Sequence, residues 1–203
     1  ARSRSNGSTS AHRRDEALAP VSATASSRLW ALVEPLLLDL APQVPPGTEV
    51  LLATTTGEID LLERHVEHGE GQADDSRLEV LLERVRRLLD RPGPGRVVSA
   101  ACASSTIALA LAAEDVEHQR CPAALVVAGD AVTEFVFSGF ASLLALDPEG
   151  ARPFDRHRRG LTLGDGAAVA LLMDERRAHS AGRPVLGRLT GWGASCDANH
   201  MTG

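Results

Sequence analysis

Apolar residues along the chain recur at two different spacings that alternate through most of its length. Leu29, Trp30, Val33 and Leu37 follow the spacing of three to four residues that is typical of a helix with one buried side. Short continuous apolar runs, such as that at 123–128, lie between helical segments and predict buried strands. Strands that alternate with helices of about ten residues indicate a layered α/β domain with a largely parallel sheet.

Individual elements follow from this pattern and from the turn residues between its segments. Helices are predicted at 27–40, with a kink or break at Pro35, and at 59–68, 77–89, 106–113 and the second half of 133–146. Strands are predicted at 49–55, 95–101, 123–128, 166–174 and 185–192. The segment 1–18 is rich in Ser, Arg and Gly without apolar periodicity, so we predict a disordered tail before one domain at 19–203.

Composition limits the kinds of partner that we expect. The 203 residues are 43% hydrophobic and carry a formal net charge of −6, so no overall positive field attracts nucleic acid. No apolar run approaches the roughly 20 residues of a membrane span, and the start lacks the apolar region of a secretion signal. Cys102, Cys121 and Cys196 have neither metal-ligand nor disulfide spacing. We therefore predict a cytoplasmic protein that binds no metal, nucleic acid or membrane.

One cysteine stands where a predicted strand gives way to a predicted helix. Cys102 follows the strand at 95–101 and precedes the helix at 106–113. The first turn of a helix carries unpaired amide groups and the positive end of the helix dipole, which favour a thiolate over a thiol. This position is typical of a reactive cysteine. A cysteine flanked by alanines is also typical of a small buried side chain, so the local sequence leaves both interpretations open.

A glycine-rich stretch joins a charged loop to the predicted strand at 166–174. Gly160, Gly164 and Gly166 predict tight turns or a close approach of two backbone segments. The stretch lacks the strand-before-helix context of a nucleotide-binding loop. We predict that the charged residues at 155–159 shape the loop and take no part in chemistry.

Taken together, these motifs resemble the β-ketoacyl synthase family, the condensing enzymes of fatty acid and polyketide synthesis. The resemblance runs from about position 49 to 203 and rests on the order and spacing of several blocks. The blocks are the nucleophile motif at 101–105, the strand and turn at 124–131, the acyl-pocket and loop region at 139–140 and 151–155, the glycine-rich block at 158–167, and the entrance segment at 197–202.

The resemblance implies a thiolase-like layered fold, of which this chain is the N-terminal half only. It implies that the Cys102 thiolate accepts an acyl group, which malonyl on an acyl carrier protein then attacks after decarboxylation. The Cys102 backbone amide would supply part of an oxyanion hole. Phe137 and Phe140 are candidates for the acyl pocket, although they also fit ordinary core packing. His200 and Thr202 are candidates for the pocket or its entrance.

The resemblance also implies partners. Substrates would arrive on the phosphopantetheine of an acyl carrier protein, so no cofactor of the chain's own is expected. The family usually forms dimers, and we expect a homodimer or a heterodimer with another ketosynthase-like chain.

The chain departs from the family pattern at several points. Two catalytic histidines and a Gly/Phe-rich loop that gives the second oxyanion donor lie, in the family, beyond the segment 197–202. Asp130 stands where a second glycine is common, Arg159 replaces a common acidic residue, and the family's opening strand is not recognisable. We therefore predict an acyltransferase that needs further sequence or a partner chain for condensation. The alternatives are a non-catalytic chain-length-factor-like subunit, which typically lacks the cysteine, and a platform that binds carrier protein.

Overall fold

The fold is built on one four-stranded sheet. A computed structural model describes residues 26–90 and 92–196, so the predicted tail at 1–18 and the candidates His200 and Thr202 lie outside the described residues. The helices and strands, in chain order, are α1 (Arg28–Leu40), β1 (Glu49–Ala53), α2 (Ile59–His68), α3 (Leu78–Arg87), β2 (Gly95–Val98), α4 (Ser104–Glu117), β3 (Ala123–Asp130), α5 (Glu134–Ser142), β4 (Gly166–Met173) and α6 (Glu175–Ser180). No helix among these residues is long and apolar enough to cross a lipid bilayer.

The sheet is largely parallel, as the alternation of strands and helices predicts. Its strand order is β2-β1-β3-β4. β2 and β3 run parallel to β1, whereas β4 runs antiparallel to β3. The predicted α/β class is confirmed.

Helices cover both faces of the two central strands. On one face, α1 and α3 pack against Leu52 and Leu125, with other buried residues of β1 and β3. On the other face, α4 packs Ala108 against Leu51 and Val126. Because successive residues of a strand point to opposite faces, β1 serves both layers and is buried at all five of its positions.

Helix α1 runs without interruption through Pro35, where the sequence predicts a kink or break. Proline lacks the amide hydrogen that would bond the carbonyl of Ala31, four residues earlier. Both residues lie on the exposed side of the helix, so water can bond that carbonyl. Leu29, Val33 and Leu37 are buried on the other side and hold the helix against the sheet. The predicted break is therefore absent.

The helix after β3 begins earlier than the sequence predicts. α5 occupies the first part of the segment 133–146, whereas the prediction places the helix in its second half. The cause is Thr133, whose hydroxyl accepts a hydrogen bond from the Val136 amide at 3.3 Å and so caps the helix. A further helix, α6, is not predicted, and it begins where the Asp174 carboxylate accepts from the Arg176 amide at 2.9 Å.

The strand predicted at 185–192 does not form. Within the described part of the chain, this segment pairs with no other strand. Leu186 is 97% exposed and Trp192 is 52% exposed. An apolar run becomes a strand only where a neighbouring strand completes its hydrogen bonds, and here the structure supplies none.

Candidate active site

The carboxyl ends of the three parallel strands meet at one edge of the sheet. β1 leads into the turn at 54–57, β2 leads into the segment that holds Cys102, and β3 ends at Asp130. Gly166, the first residue of the antiparallel β4, pairs with Asp130 and so lies at the same edge. Ligands of open α/β sheets bind at the carboxyl ends of the strands, which makes this edge the candidate site.

Cys102 stands on a tight turn between β2 and α4. Ala101, immediately before it, has a φ of 49°, in the left-handed region that costs a residue with a Cβ about 1 kcal/mol. The amide of Ala103 donates to the Ala100 carbonyl at 3.1 Å and closes the turn. Cys102 is exposed. The alternative of a buried structural cysteine is therefore wrong.

A buried serine holds this turn in place. The Ser104 hydroxyl accepts from the Ala100 amide at 2.8 Å and donates to the Ala101 carbonyl at 2.6 Å. Ser104 is only 4% exposed and is the first residue of α4. One hydroxyl thus connects the turn that carries Cys102 to the start of the helix.

The start of α4 leaves hydrogen-bond donors open beside the thiol. Ala103, at the N-cap, has no side chain that could bond the first amides of the helix. The Cys102 amide donates to no residue within 26–90 and 92–196. An open amide next to an exposed thiol meets the requirement for an oxyanion donor.

The Asp130 carboxylate holds the turn after β1. Its Oδ1 accepts from the Thr54 hydroxyl at 2.8 Å, from the Thr55 amide at 2.8 Å and from the Thr56 amide at 3.4 Å. Its Oδ2 accepts from the Thr55 hydroxyl at 3.0 Å. Thr54 is fully buried and its hydroxyl also accepts from the Gly57 amide at 2.9 Å. The carboxylate thereby fixes both side chains and backbone of this turn.

The turn after β1 in turn contacts the turn that carries Cys102. The Thr55 hydroxyl oxygen lies 3.4 Å from the Ala101 carbonyl oxygen. The Ser99 hydroxyl donates a long hydrogen bond of 3.5 Å to the Thr55 carbonyl. In the sequence, Asp130 stands out only as a departure from the family pattern. The signal that could have found it is a carboxylate at one strand end facing three successive threonines at another.

A second carboxylate ties the start of β4 to this edge. Asp165 accepts from the Val132 amide at 2.6 Å and pairs with the Arg28 guanidinium at 2.6 Å. The Val132 amide first, and Arg28 second, hold the pKa of Asp165 below its usual range. The glycine-rich block thus contributes an ionised side chain that anchors the loop before β4.

The connection from α5 to β4 forms a closed loop that leads to the start of β4. The Leu161 amide donates to the Ala145 carbonyl at 2.9 Å, and the Asp147 amide donates to the Leu161 carbonyl at 3.0 Å. Within the loop, Asp155 accepts from the His157 amide at 2.6 Å and so shapes a local turn. The charged residues at 155–159 are exposed.

The two phenylalanines predicted for the acyl pocket lie on α5. Phe137 is 50% exposed, and Phe140 is partly buried. Phe137 is therefore not part of the core, which was the alternative interpretation. A place for Phe137 and Phe140 in an acyl pocket stays a prediction.

The other cysteines differ from Cys102 in their surroundings. Cys121 is buried just before β3, at the opposite edge of the sheet. Burial, followed by the nearby Glu49 carboxylate, raises the pKa of the Cys121 thiol, so this thiol stays protonated. Cys196 is exposed and lies at the end of the described residues.

The region of the chain that is similar to known proteins includes the carboxyl edge of the sheet. The family described as "Beta-ketoacyl synthase, N-terminal domain" matches residues 55–178, which include Cys102, Asp130 and Asp165. The chain belongs to this family. The resemblance drawn from the motifs is therefore confirmed, and so is the assignment of the chain to the N-terminal part of a ketoacyl synthase.

Individual relatives of this synthase domain are longer than the region they share with it. Nodulation protein E of Rhizobium meliloti is 34% identical over 111 residues, 54% of this chain and 28% of that protein. The 3-oxoacyl-[acyl-carrier-protein] synthase 2 of Synechocystis is 31% identical over 121 residues, 56% of this chain and 29% of that protein. The shared region thus spans less than a third of these relatives.

Solved structures agree with the fold of the synthase domain. A chain of a ketosynthase in complex with its chain length factor, from Xenorhabdus doucetiae, has a TM-score of 0.68 and 26% identity, over 77% of this chain and 45% of that chain. A beta-ketoacyl synthase from Burkholderia phymatum has a TM-score of 0.58 at 22% identity. The predicted thiolase-like layered fold is confirmed over the part that these structures cover.

Proposed function

We propose that this ketoacyl synthase domain carries the acyl-accepting nucleophile of a decarboxylative condensing enzyme, and that Cys102 is that nucleophile. The observation that carries the proposal is the turn at Cys102. It combines an exposed thiol, an open amide and the start of a helix at the carboxyl edge of the sheet. Membership of the family supports the same reaction class.

The first chemical step is acyl transfer to the cysteine. The Cys102 thiolate attacks the carbonyl carbon of an acyl thioester, and the carbonyl oxygen becomes an oxyanion. The Cys102 amide donates to that oxyanion, and one such donor contributes about 3 kcal/mol of transition-state stabilisation. The carbon–sulfur bond to the carrier then breaks, and the carrier thiolate leaves and takes up a proton. The product is an acyl thioester on Cys102.

The substrates proposed here are bound to a carrier. We propose that they arrive on the phosphopantetheine of an acyl carrier protein and that the chain holds no cofactor of its own. The name of the Synechocystis relative, an acyl-carrier-protein synthase, supports this assignment. A cytoplasmic location stays a prediction.

Condensation needs groups beyond those described. The proposal assigns to Cys102 the loading of the acyl group, and to further sequence or a second chain the histidines that promote decarboxylation of malonyl. The ketosynthase and chain length factor that form a complex in Xenorhabdus doucetiae support a pairing of ketosynthase-like chains. We propose that this chain pairs in the same manner, with a copy of itself or with a different ketosynthase-like chain.

The proposal is tested by intact-mass measurement of the 203-residue chain after incubation with an acyl carrier protein that bears a hexanoyl thioester. We expect one hexanoyl adduct, and we expect Cys102→Ala to abolish it, a loss of at least about 100-fold in the rate of labelling. Cys196→Ala, which removes another exposed thiol, is the matched control and retains the adduct.

Other outcomes separate the rival functions. An unlabelled parent chain would favour a non-catalytic partner subunit or a carrier-binding platform. An adduct that persists in Cys102→Ala would contradict the assignment of the nucleophile. If malonyl carrier protein is added and the chain alone releases the β-ketoacyl product, the requirement for further sequence is wrong.

A further inference from the structure

Asp130 connects to the proposed nucleophile through a short chain of contacts. We propose that Asp130 is a positioning residue that orients the Cys102 amide through Thr55. This inference rests on the proposed function of Cys102, because it concerns the amide that stabilises the oxyanion.

The first step is the set of hydrogen bonds that the Asp130 carboxylate accepts from the turn after β1. Both carboxylate oxygens are occupied, one by the Thr54 hydroxyl and two backbone amides and the other by the Thr55 hydroxyl. A carboxylate accepts only, so the Thr55 hydroxyl hydrogen is directed to Asp130. The geometry of Thr55 is therefore set by the end of β3 and not by the turn alone.

The second step is the contact of Thr55 with the peptide group before Cys102. With its hydrogen given to Asp130, the Thr55 oxygen faces the Ala101 carbonyl oxygen at 3.4 Å, and the repulsion between their lone pairs keeps the carbonyl from turning toward Thr55. The Ala101 carbonyl oxygen accepts a hydrogen bond from the Ser104 hydroxyl at 2.6 Å. It also accepts from the Ser104 amide at 3.1 Å, so Ser104 bonds the Ala101 carbonyl on one side while the Thr55 oxygen faces it on the other.

The third step is the planarity of the peptide bond. The Ala101 carbonyl and the Cys102 amide belong to one peptide group, in which the oxygen and the hydrogen point in opposite directions. A carbonyl that is held therefore fixes the direction of the amide. The left-handed φ of 49° at Ala101 makes this orientation one that the backbone would not keep without support.

The residue type supports a role particular to this chain. The family resemblance leads to an expectation of glycine at this position, and a glycine could make none of these four side-chain contacts. Replacement of Asp130 would free the Thr55 hydroxyl to donate to the Ala101 carbonyl, which would tilt the peptide. The expected consequence is a poorer oxyanion donor with an unchanged thiol.

The test compares Asp130→Asn with the matched control Asp174→Asn. Asp174 also accepts from backbone amides, but it follows β4 at the opposite edge of the sheet. We expect Asp130→Asn to lower the maximal single-turnover rate of hexanoyl transfer to Cys102 by about tenfold, with the half-saturating concentration of carrier thioester within about twofold. Alkylation of Cys102 by iodoacetamide needs the thiolate but no oxyanion donor, so its rate should change by less than about twofold. Asp174→Asn should leave both rates unchanged.

A second pair of measurements separates positioning from simple loss of structure. Thr55→Val should lower the transfer rate, and in the Asp130→Asn background it should add little further loss, because both act through one contact. The amide resonance of Cys102 should shift in Asp130→Asn and not in Asp174→Asn. A resonance that does not move would overturn the inference, whether or not the chain is acylated.

The failures of the two proposals are distinguishable. Absence of a hexanoyl adduct on the unaltered chain refutes the proposed function. An unaltered transfer rate in a folded Asp130→Asn chain, or an equal loss of acylation and alkylation, refutes the positioning role. Recovery of the rate in Asp130→Glu together with the original amide resonance would support it, since a carboxylate is restored.

Discussion

The part of the chain from α1 to β3 buries most of its long apolar side chains, whereas the part that follows β3 leaves many of its own exposed. In the first part, β1 is buried at every position, and Leu125 of β3 has no exposed surface. In the second part, α5 has no buried residue, Leu144 is 90% exposed, and Leu186 is 97% exposed. Both parts contain apolar runs of similar length in the sequence.

The difference lies in what covers each run. Helices pack on both faces of β1 and β3, whereas no described element covers the outer side of α5. An apolar pattern therefore indicates which side chains need a partner and not where that partner is. We propose that these exposed apolar side chains are covered by another protein segment. The second half or partner chain that we propose for condensation would be the occupant.

The largest expected effect is on the free energy of unfolding. It is tested by shortening one apolar side chain to alanine in each part of the chain. Leu125→Ala should lower the free energy of unfolding by about 3 kcal/mol, because it removes a buried side chain and leaves a cavity between two layers. Leu144→Ala is the matched control and should change the same quantity by less than about 0.5 kcal/mol. Urea unfolding measures both. Equal losses at the two positions would contradict the contrast.

A buried ion pair makes the packed part sensitive to pH. The Glu58 side chain has no exposure, accepts from the Ser27 hydroxyl at 2.5 Å and pairs with Arg84 at 2.7 Å. The Arg84 guanidinium lies 4.1 Å from the centre of the Trp30 ring. Burial raises the pKa of Glu58 despite Ser27 and Arg84. The folded chain therefore binds this proton more tightly than the unfolded chain does.

The second prediction follows from the sign of that shift. The stability that Glu58 contributes is fully present below the unfolded pKa of 4.5 and is lost as pH rises through the folded pKa. Glu58→Gln cannot ionise, so its free energy of unfolding should fall less steeply as pH rises above 4.5. We expect a difference smaller than the loss in Leu125→Ala. Parallel curves for the two chains in urea unfolding would contradict this assignment.

The smallest expected effect concerns a link between the two parts. Arg28 of α1 pairs with Asp165 before β4, and both side chains are partly exposed. Asp165→Asn should lower the free energy of unfolding by less than about 1 kcal/mol, and added salt should reduce the difference. The pKa of Asp165 is lowered, so its contribution is present above the unfolded value of 3.8 and is lost as pH falls. A salt-independent difference in thermal unfolding would contradict an ionic cause.

Most elements of the packed part could be predicted because their signals are local. α2 has the bounds that the sequence predicts, since Gly57 and Gly69 both adopt left-handed φ values on either side of it. The place of Cys102 between a strand and a helix is likewise visible in neighbouring residues. The hydrogen bonds between Thr55 and Asp130 join positions 75 residues apart, so no pattern of neighbouring residues predicts them. The segment 185–192 has a strand-like pattern, but its pairing depends on a neighbour that the pattern cannot specify.

The loop that precedes the antiparallel strand β4 has a consequence for how the sequence of such a domain can vary in evolution. The loop at 147–160 leaves and returns through the bonded pair of Leu146 and Leu161, while Asp165 anchors the approach to β4. The two ends of the loop are thus joined to each other by backbone hydrogen bonds. Insertions, deletions or exchanges inside it can therefore occur while the strand register of β4 stays the same. The loop can therefore vary in length and sequence separately from the sheet that it joins.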